Sequence, residues 1–161
     1  MKRIPLLISC LAVLLAVTLY FSPSDEANAV TKDSLAMLAN VQQGDTDITR
    51  IGRMSFAPQG VLLVADIGSA SVVAIDTQDT GPVKKLKERV NDVDKKIAAA
   101  LGTDKAGINI ADMTVNPASG KIYVSVQRKA DGLNAIITFD DNGKLAPLNL
   151  KKARYVRVPL P

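Results

Sequence analysis

Protein chemistry is most often carried by histidine, cysteine or clustered carboxylates, and this chain offers few of them. It has no histidine and a single cysteine, Cys10. Without histidine the commonest general base and the commonest metal ligand are missing, and Ser/His/Asp catalysis is excluded. Serines fall in turns with no base placed by a motif, and no glycine run has phosphate-loop spacing. Carboxylates remain. Asp112 at the start of a predicted strand and Asp66 at the entry of a Gly/Ser-rich turn are the two candidates for a metal or ligand contact. An Asp entering such a turn ordinarily bonds the backbone amides ahead of it, and Asp112 reads as a turn or strand cap. Asp45 and Asp47 lie in the polar loop QQGDTDIT, where two carboxylates fall short of the six or more oxygens a hard cation wants. Asp140-Asp141-Asn142-Gly143 resembles half of a calcium loop, but Asn149 stands where that loop needs glutamate. Asn-Gly between two apolar runs is a hairpin signal in its own right. The sequence therefore assigns no catalytic residue, no cofactor-binding residue, no cofactor and no metal.

A repeat positions these residues. Residues 54–76 read MSFAPQGVLLVADIGSASVVAID, and a second version occupies residues 113–140. In the first copy Met54, Phe56 and Ala57 precede the turn Pro58-Gln59-Gly60. The apolar run 61–65 has strand length, and a second run, 72–75, closes on Asp76. In the second copy Met113 aligns with Met54, Pro117 with Pro58, and Gly120 with Gly60 after a one-residue insertion. The run 122–126 is matched to 61–65, and 135–139 ends at Asp140 as the earlier strand ends at Asp76. Short strands joined by tight turns predict an antiparallel meander, and runs apolar on both faces predict sheets covered on both sides. Self-similarity at a long period points to propellers or solenoids.

Between the copies, Val83, Leu86, Val90, Val93, Ile97 and Leu101 recur every three or four positions, the helical period. The second half of that stretch is predicted as a helix, with Asn91 or Asp92 as N-cap, Asp94 at the positive end of the dipole and Gly102 at C′. Residues 82–89 either extend the helix or form a separate strand, and Lys84, Lys85 and Lys87 read as a solvated face. Further on, residues 144–150 alternate as a strand does. Residues 155–158 read as an edge strand, with pairing expected to stop at Pro159 because proline has no ladder donor.

The N-terminus has the three parts of a secretory leader: basic Lys2 and Arg3, an apolar run over residues 6–21, and the small-residue cleavage site Ala27-Asn28-Ala29. Cleavage there makes Val30 the first mature residue, removes Cys10, and leaves the net charge of +4 unchanged. The alternative is an uncleaved membrane anchor, although the run is shorter than the roughly 20 residues that cross a bilayer comfortably. Lipidation at Cys10 would leave an apolar segment on the mature protein, so the Ala29 site accounts for the pattern better. Either way a secreted or periplasmic, bacterial-type location is expected. A cysteine-free exported chain is held by its core alone. The mild basic balance, spread over several segments, reads as a solvated surface, and no nucleic-acid partner is expected.

Phe-Ala-Pro-Gln-Gly followed by Leu-Leu-Val-Ala-Asp and Val-Val-Ala-Ile-Asp resembles a blade of the NHL, gluconolactonase-type and YVTN group of β-propellers. Asn-Pro-Ala-Ser-Gly-Lys-Ile-Tyr-Val-Ser-Val followed by Ala-Ile-Ile-Thr-Phe-Asp is similar. Pro58, Gly60, Val64, Asp66 and Asp76 occupy pattern positions in one copy, and Pro117, Gly120, Val124 and Asp140 in the other. The resemblance implies a mostly β fold of antiparallel meander sheets, an incomplete propeller with one inserted helix. The organisation expected is a leader (1–29), an N-terminal tether (30–50), a first blade-like unit (51–82), a helical insertion (83–105), a second unit (106–143) and a C-terminal strand and tail (144–161). The gluconolactonase-like enzymes carry metal ligands at positions that are Gly52 and Ala111 here, neither of which can bind a metal through its side chain. Two units do not close a ring; the chain is read as part of a longer propeller, as one copy of an assembly, or as a small open sheet. The functional expectation is an exported noncatalytic binding or scaffold module. The alternative is the N-terminal part of a propeller enzyme of hydrolase, lactonase or quinoprotein type whose active residues lie elsewhere. Expected partners are further copies, through exposed strand edges, or an envelope macromolecule, with membrane contact only through an uncleaved leader.

Overall fold

The structure is a computed structural model that describes residues 40–161. The leader, its cleavage site at Ala27 and Ala29, Cys10 and the tether as far as residue 39 lie outside the described residues.

The chain forms two antiparallel sheets and one α-helix, with no closed ring of strands among the described residues. In the first copy of the repeat, β2 (Ile51–Ala57) turns through Pro58–Gly60 into β3 (Val61–Asp66), which pairs in unbroken register with β4 (Ser71–Asp76). The Pro58–Gly60 turn needs left-handed backbone at two successive residues, Gln59 at φ 61° and Gly60 at φ 74°. A side chain at Gly60 would meet the Asp79 carbonyl at 2.8 Å, so glycine answers both demands. The second copy gives β5 (Ile108–Val115), β6 (Ile122–Arg128), β7 (Asn134–Phe139) and the short β8 (Leu145–Pro147), in that spatial order.

The tail corrects the expectation of an edge strand. The last strand, β9 (Ala153–Pro159), lies inside the first sheet, between β4 and a three-residue strand β1 (Gln42–Gly44), in the order β1-β9-β4-β3-β2. Pairing runs on to Pro159, opposite Ser71, and Leu160 still donates to the Ala70 carbonyl. The proline costs little because it stands at the last rung of the ladder, where one missing N–H interrupts nothing. The fourth strand of the first unit is thus supplied from the far end of the chain. Residues 144–150, expected to be a strand, shorten to the three residues of β8, which Pro147 ends.

Strand registers also shift the alignment of the two copies. Met54 pairs with Val64 and Met113 with Val124, so Leu62 and Val64 correspond to Ile122 and Val124, and Asp66 corresponds to Val126. Matching 61–65 to 122–126 is therefore out by one residue, which in a strand exchanges the two faces. In the corrected register β2 and β5 carry a shift at the same place, Ile51/Met54 and Ile110/Asp112. Equivalent residues point the same way in both sheets. Met54, Leu62 and Val64 join Tyr123 and Ile136 in the core between the sheets, while Val124, Val126, Ile137 and Phe139 face away from the first sheet and pack on the helix α1 (Val93–Ala100) through Ile97 and Ala98. The layers run first sheet, second sheet, helix, and α1 stands where a third sheet would stack.

The helix agrees with its expected end at Gly102, which has φ 69° and donates to the Ala99 carbonyl. At its start Asp92 stands at the N-cap position and Asp94 in the first turn, as expected, but Asp92 is itself left-handed, at φ 51°, and makes no side-chain cap bond. Its carboxylate instead pairs with Lys95 at 3.2 Å. Residues 82–89 form neither helix nor strand. They are pinned across the turns of the second sheet, Lys84 N–H donating to the Ser119 carbonyl and Lys87 N–H to that of Asp141. Among the described residues no helix is long and apolar enough to cross a membrane.

Because Tyr155 and Ala153 belong to the core between the sheets, a chain ending at Lys152 is expected to lose cooperative thermal unfolding and to bind a hydrophobic dye. Removal of Leu160 and Pro161 should leave the calorimetric transition nearly in place. An unchanged transition in the shorter chain would contradict the placement of β9.

Candidate functional site

Asp66 is 1 % exposed and its carboxylate accepts six hydrogen bonds: from the Thr49, Arg50 and Gly68 amides, the Thr49 and Ser69 hydroxyls, and Arg157. The Arg157 Nη1 lies 2.9 Å from Oδ2, and the same guanidinium also donates to Ser69, Ser71 and the Thr46 and Asp47 carbonyls. Burial pushes the Asp66 carboxyl up, but Arg157 and the amide and hydroxyl donors outweigh it and hold the group far below the usual carboxylate range. Six donors fill the acceptor capacity of a carboxylate, leaving Asp66 no free lone pair for a ligand. The turn-cap reading from sequence covers Gly68 and Ser69; the partners Thr49, Arg50 and Arg157 come from distant segments.

Asp112 sits at the register shift of β5, and its Oδ2 accepts the Met54 amide at 2.8 Å. Beside it the Ser125 hydroxyl donates to the Gly52 carbonyl at 3.0 Å, and the Asn134 side chain accepts from Ile51 N–H while donating to the Ile48 and Thr49 carbonyls. Three polar side chains of the second sheet thus satisfy the edge of β2 that no strand covers. Gly52 contributes its carbonyl as the acceptor for Ser125. Asp45 caps the Asp47 amide and Asp140 caps those of Asn142 and Lys144, both local turns. Among the described residues no three acidic, histidine or cysteine side chains gather to hold a metal.

A polar centre that sequence reasoning missed lies at Asp79. Its carboxylate accepts from Asn116, Ser119 and Tyr123 at 3.0, 2.7 and 2.9 Å and pairs with Lys121 at 3.4 Å. Burial raises this carboxyl, yet Ser119, Tyr123, Asn116 and Lys121 together leave it below its ordinary value; burial and the Asp79 charge push the Tyr123 phenol up. This network fastens the segment between the units to the β5–β6 turn. Asp79 has no local signature, because its partners, although they lie in the second copy of the repeat, are about forty residues away.

One of the openings that the packing leaves is apolar. Ile110, Met113 and Val115 are 41 %, 62 % and 51 % exposed, and their partners across the ladder, Val126, Val124 and Ile122, put them on the helix-facing side of the second sheet. An eight-residue helix is about 12 Å long and covers β6, β7 and the Ile108 end of β5, but not the rest of β5. Between β5 and the approach to the helix runs a groove of about 230 Å³, lined by Leu86, Val90, Val93, Met113 and Phe139 with Arg89 at its margin. The paired methionines show the asymmetry: Met54 is 7 % exposed and Met113 is 62 %. No protein-family model, no curated protein and no solved structure matches the chain. The resemblance to the propeller group rests on the sequence motifs alone.

Substituting Asp66→Asn leaves Arg157 paired only with neutral acceptors, and breaking a buried pair of this kind costs about 3 kcal/mol. Asp66 has a lowered pKa in the folded state, so its contribution is present above the unfolded value of about 3.9 and is lost as pH falls below it. Urea midpoints are expected to drop steeply for the native chain below about pH 4 and less steeply for Asp66→Asn. Parallel pH profiles for the two proteins would remove Asp66 from that role.

Proposed function

We propose that this chain is an exported, noncatalytic binding or scaffold module of propeller-like sheets, and that it meets its partner through the β5 side of the second sheet. One observation carries the reading: Asp66, Asp79 and Asp112, the centres that could do chemistry, are occupied by the fold's own donors, whereas the apolar row Ile110, Met113 and Val115 is left uncovered beside a groove. Isolated exposed apolar residues are ordinary, but a row aligned on one face and continuous with a groove is a feature of interaction sites. The partner is an envelope component or a second copy of the chain, since in either case α1 leaves unfinished the layer that a further sheet would complete.

A photo-crosslinking residue placed at Met113 in cells exporting the protein is expected to give discrete adducts that Val115→Glu abolishes. The same residue at the exposed Lys151 should give none. Adduct mass separates a second copy from another component. Equal labelling from both positions, or none from Met113, would refute the use of this face.

A further inference from the structure

The approach to the groove carries an excess of positive charge. From residue 83 to residue 96 the sequence VKKLKERVNDVDKK holds six lysines and arginines against three acids. Lys84, Lys85, Lys87 and Arg89 are all exposed. Lys87 is engaged by Asp141 and Asn142, and Asp92 and Asp94 pair with Lys95 and Lys105. Lys85 and Arg89 enter none of these pairs, and Glu88 is the acid that lies between them in sequence. Among these cations Val83 is 61 % exposed, and Leu86 and Arg89 reach the same groove as Met113.

Apolar side chains that stand out from a surface and are rimmed by cations match an anionic amphiphilic partner. A second copy fits poorly, because bringing two such faces together sets like charges against each other. An enclosed small ligand also fits poorly: 230 Å³ is below the range of about 300–1,000 Å³ in which pockets envelop a ligand. With so shallow a groove, this protein's own side chains are the ones to be inserted. We propose that the β5 face docks on an anionic lipid bilayer. Ile110, Met113 and Val115 enter the headgroup boundary as the apolar side of an interfacial helix does, and Arg89, with Lys85 on the same exposed segment, meets the lipid phosphates. Attraction of this kind decays within a Debye length. Membrane contact then comes from the folded domain itself, and with a retained leader it would be the second of two anchoring signals. The proposal rests on the binding reading above, applied to the same face.

The leader's apolar run would itself enter vesicles, and Asp33–Pro161 form one compact unit with its own cores, so the chain from Val30 to Pro161 is the protein to test. Co-sedimentation is measured with vesicles of phosphatidylcholine alone and with about one-third phosphatidylglycerol, at low salt and at about 1 M salt, where the Debye length is near 3 Å. Binding is expected at low salt to the anionic vesicles, at least tenfold stronger than to the neutral ones, and lost at high salt. Lys85→Glu with Arg89→Glu, and separately Met113→Glu with Val115→Glu, should each weaken it at least tenfold, taking about fivefold for each cation removed, with thermal unfolding unchanged. Equal binding to neutral vesicles, binding to neither, or native binding by both double variants would overturn the proposal. If vesicles are not bound but the Met113 crosslinks persist, the lipid partner falls and the binding face stands; if neither is seen, both fall.

Discussion

The pairing of Asp66 with Arg157 ties three stretches together at one point: the approach to β2, the turn between β3 and β4, and the last strand. Residues 46–50 belong to no strand, so their amides and carbonyls lack a ladder to satisfy them. Asp66 takes two of the amides and Arg157 donates to two of the carbonyls, so an ion pair does for this segment what a neighbouring strand does elsewhere. A buried carboxylate is costly unless its lone pairs are filled, and six donors fill them. Remove either partner and the same donors and acceptors are stranded beside the core formed by Val73, Ile75 and Tyr155.

The interface between the sheets follows the same logic on a smaller scale. β2 is an edge strand of the first sheet and β5 of the second, and two bare edges side by side are a risk of misassociation. Asp112, Ser125 and Asn134 remove that risk for β2 by capping its exposed amides and carbonyl. The outer edges are blunted differently, by the shortness of β1 and β8 and by Pro147. Polar side chains with catalytic potential elsewhere are here spent on closing backbone groups, while apolar side chains on β5 stay in solvent. That inversion of the usual arrangement is what supports the proposal of a binding face.

Much of the fold was legible from residues that act locally. The strands around Pro58-Gln59-Gly60, the helix ending at Gly102 and the hairpin at Asn142-Gly143 all follow from turn chemistry and apolar period. The class of fold, meander sheets with one inserted helix, followed from those. Long-range placement was not legible. Tyr155-Val156-Arg157-Val158 carries no mark that says which sheet it joins, and an edge strand and an internal strand differ only in what lies beside them. The one-residue slip between the copies arose because 61–65 is apolar throughout, so no alternation fixes its register. Asp66 was correctly placed as a turn residue, yet the larger part of its network, Thr49, Arg50 and Arg157, was beyond reach of the sequence for the same reason.

Placing β9 between β1 and β4 has a consequence for the timing of folding. The Arg157 guanidinium bonds the Thr46 carbonyl across 111 residues of chain, and pairing at such separation pays its loop entropy before any contact rewards it. A chain delivered from its N-terminal end forms β2, β3 and β4 early but must hold the flank of β4 open until residues 153–159 arrive. The second sheet, built from neighbours in sequence, is under no such delay. During that interval the first sheet is a half-made template with an apolar face, and the speed with which the tail docks sets how long it is exposed to other chains.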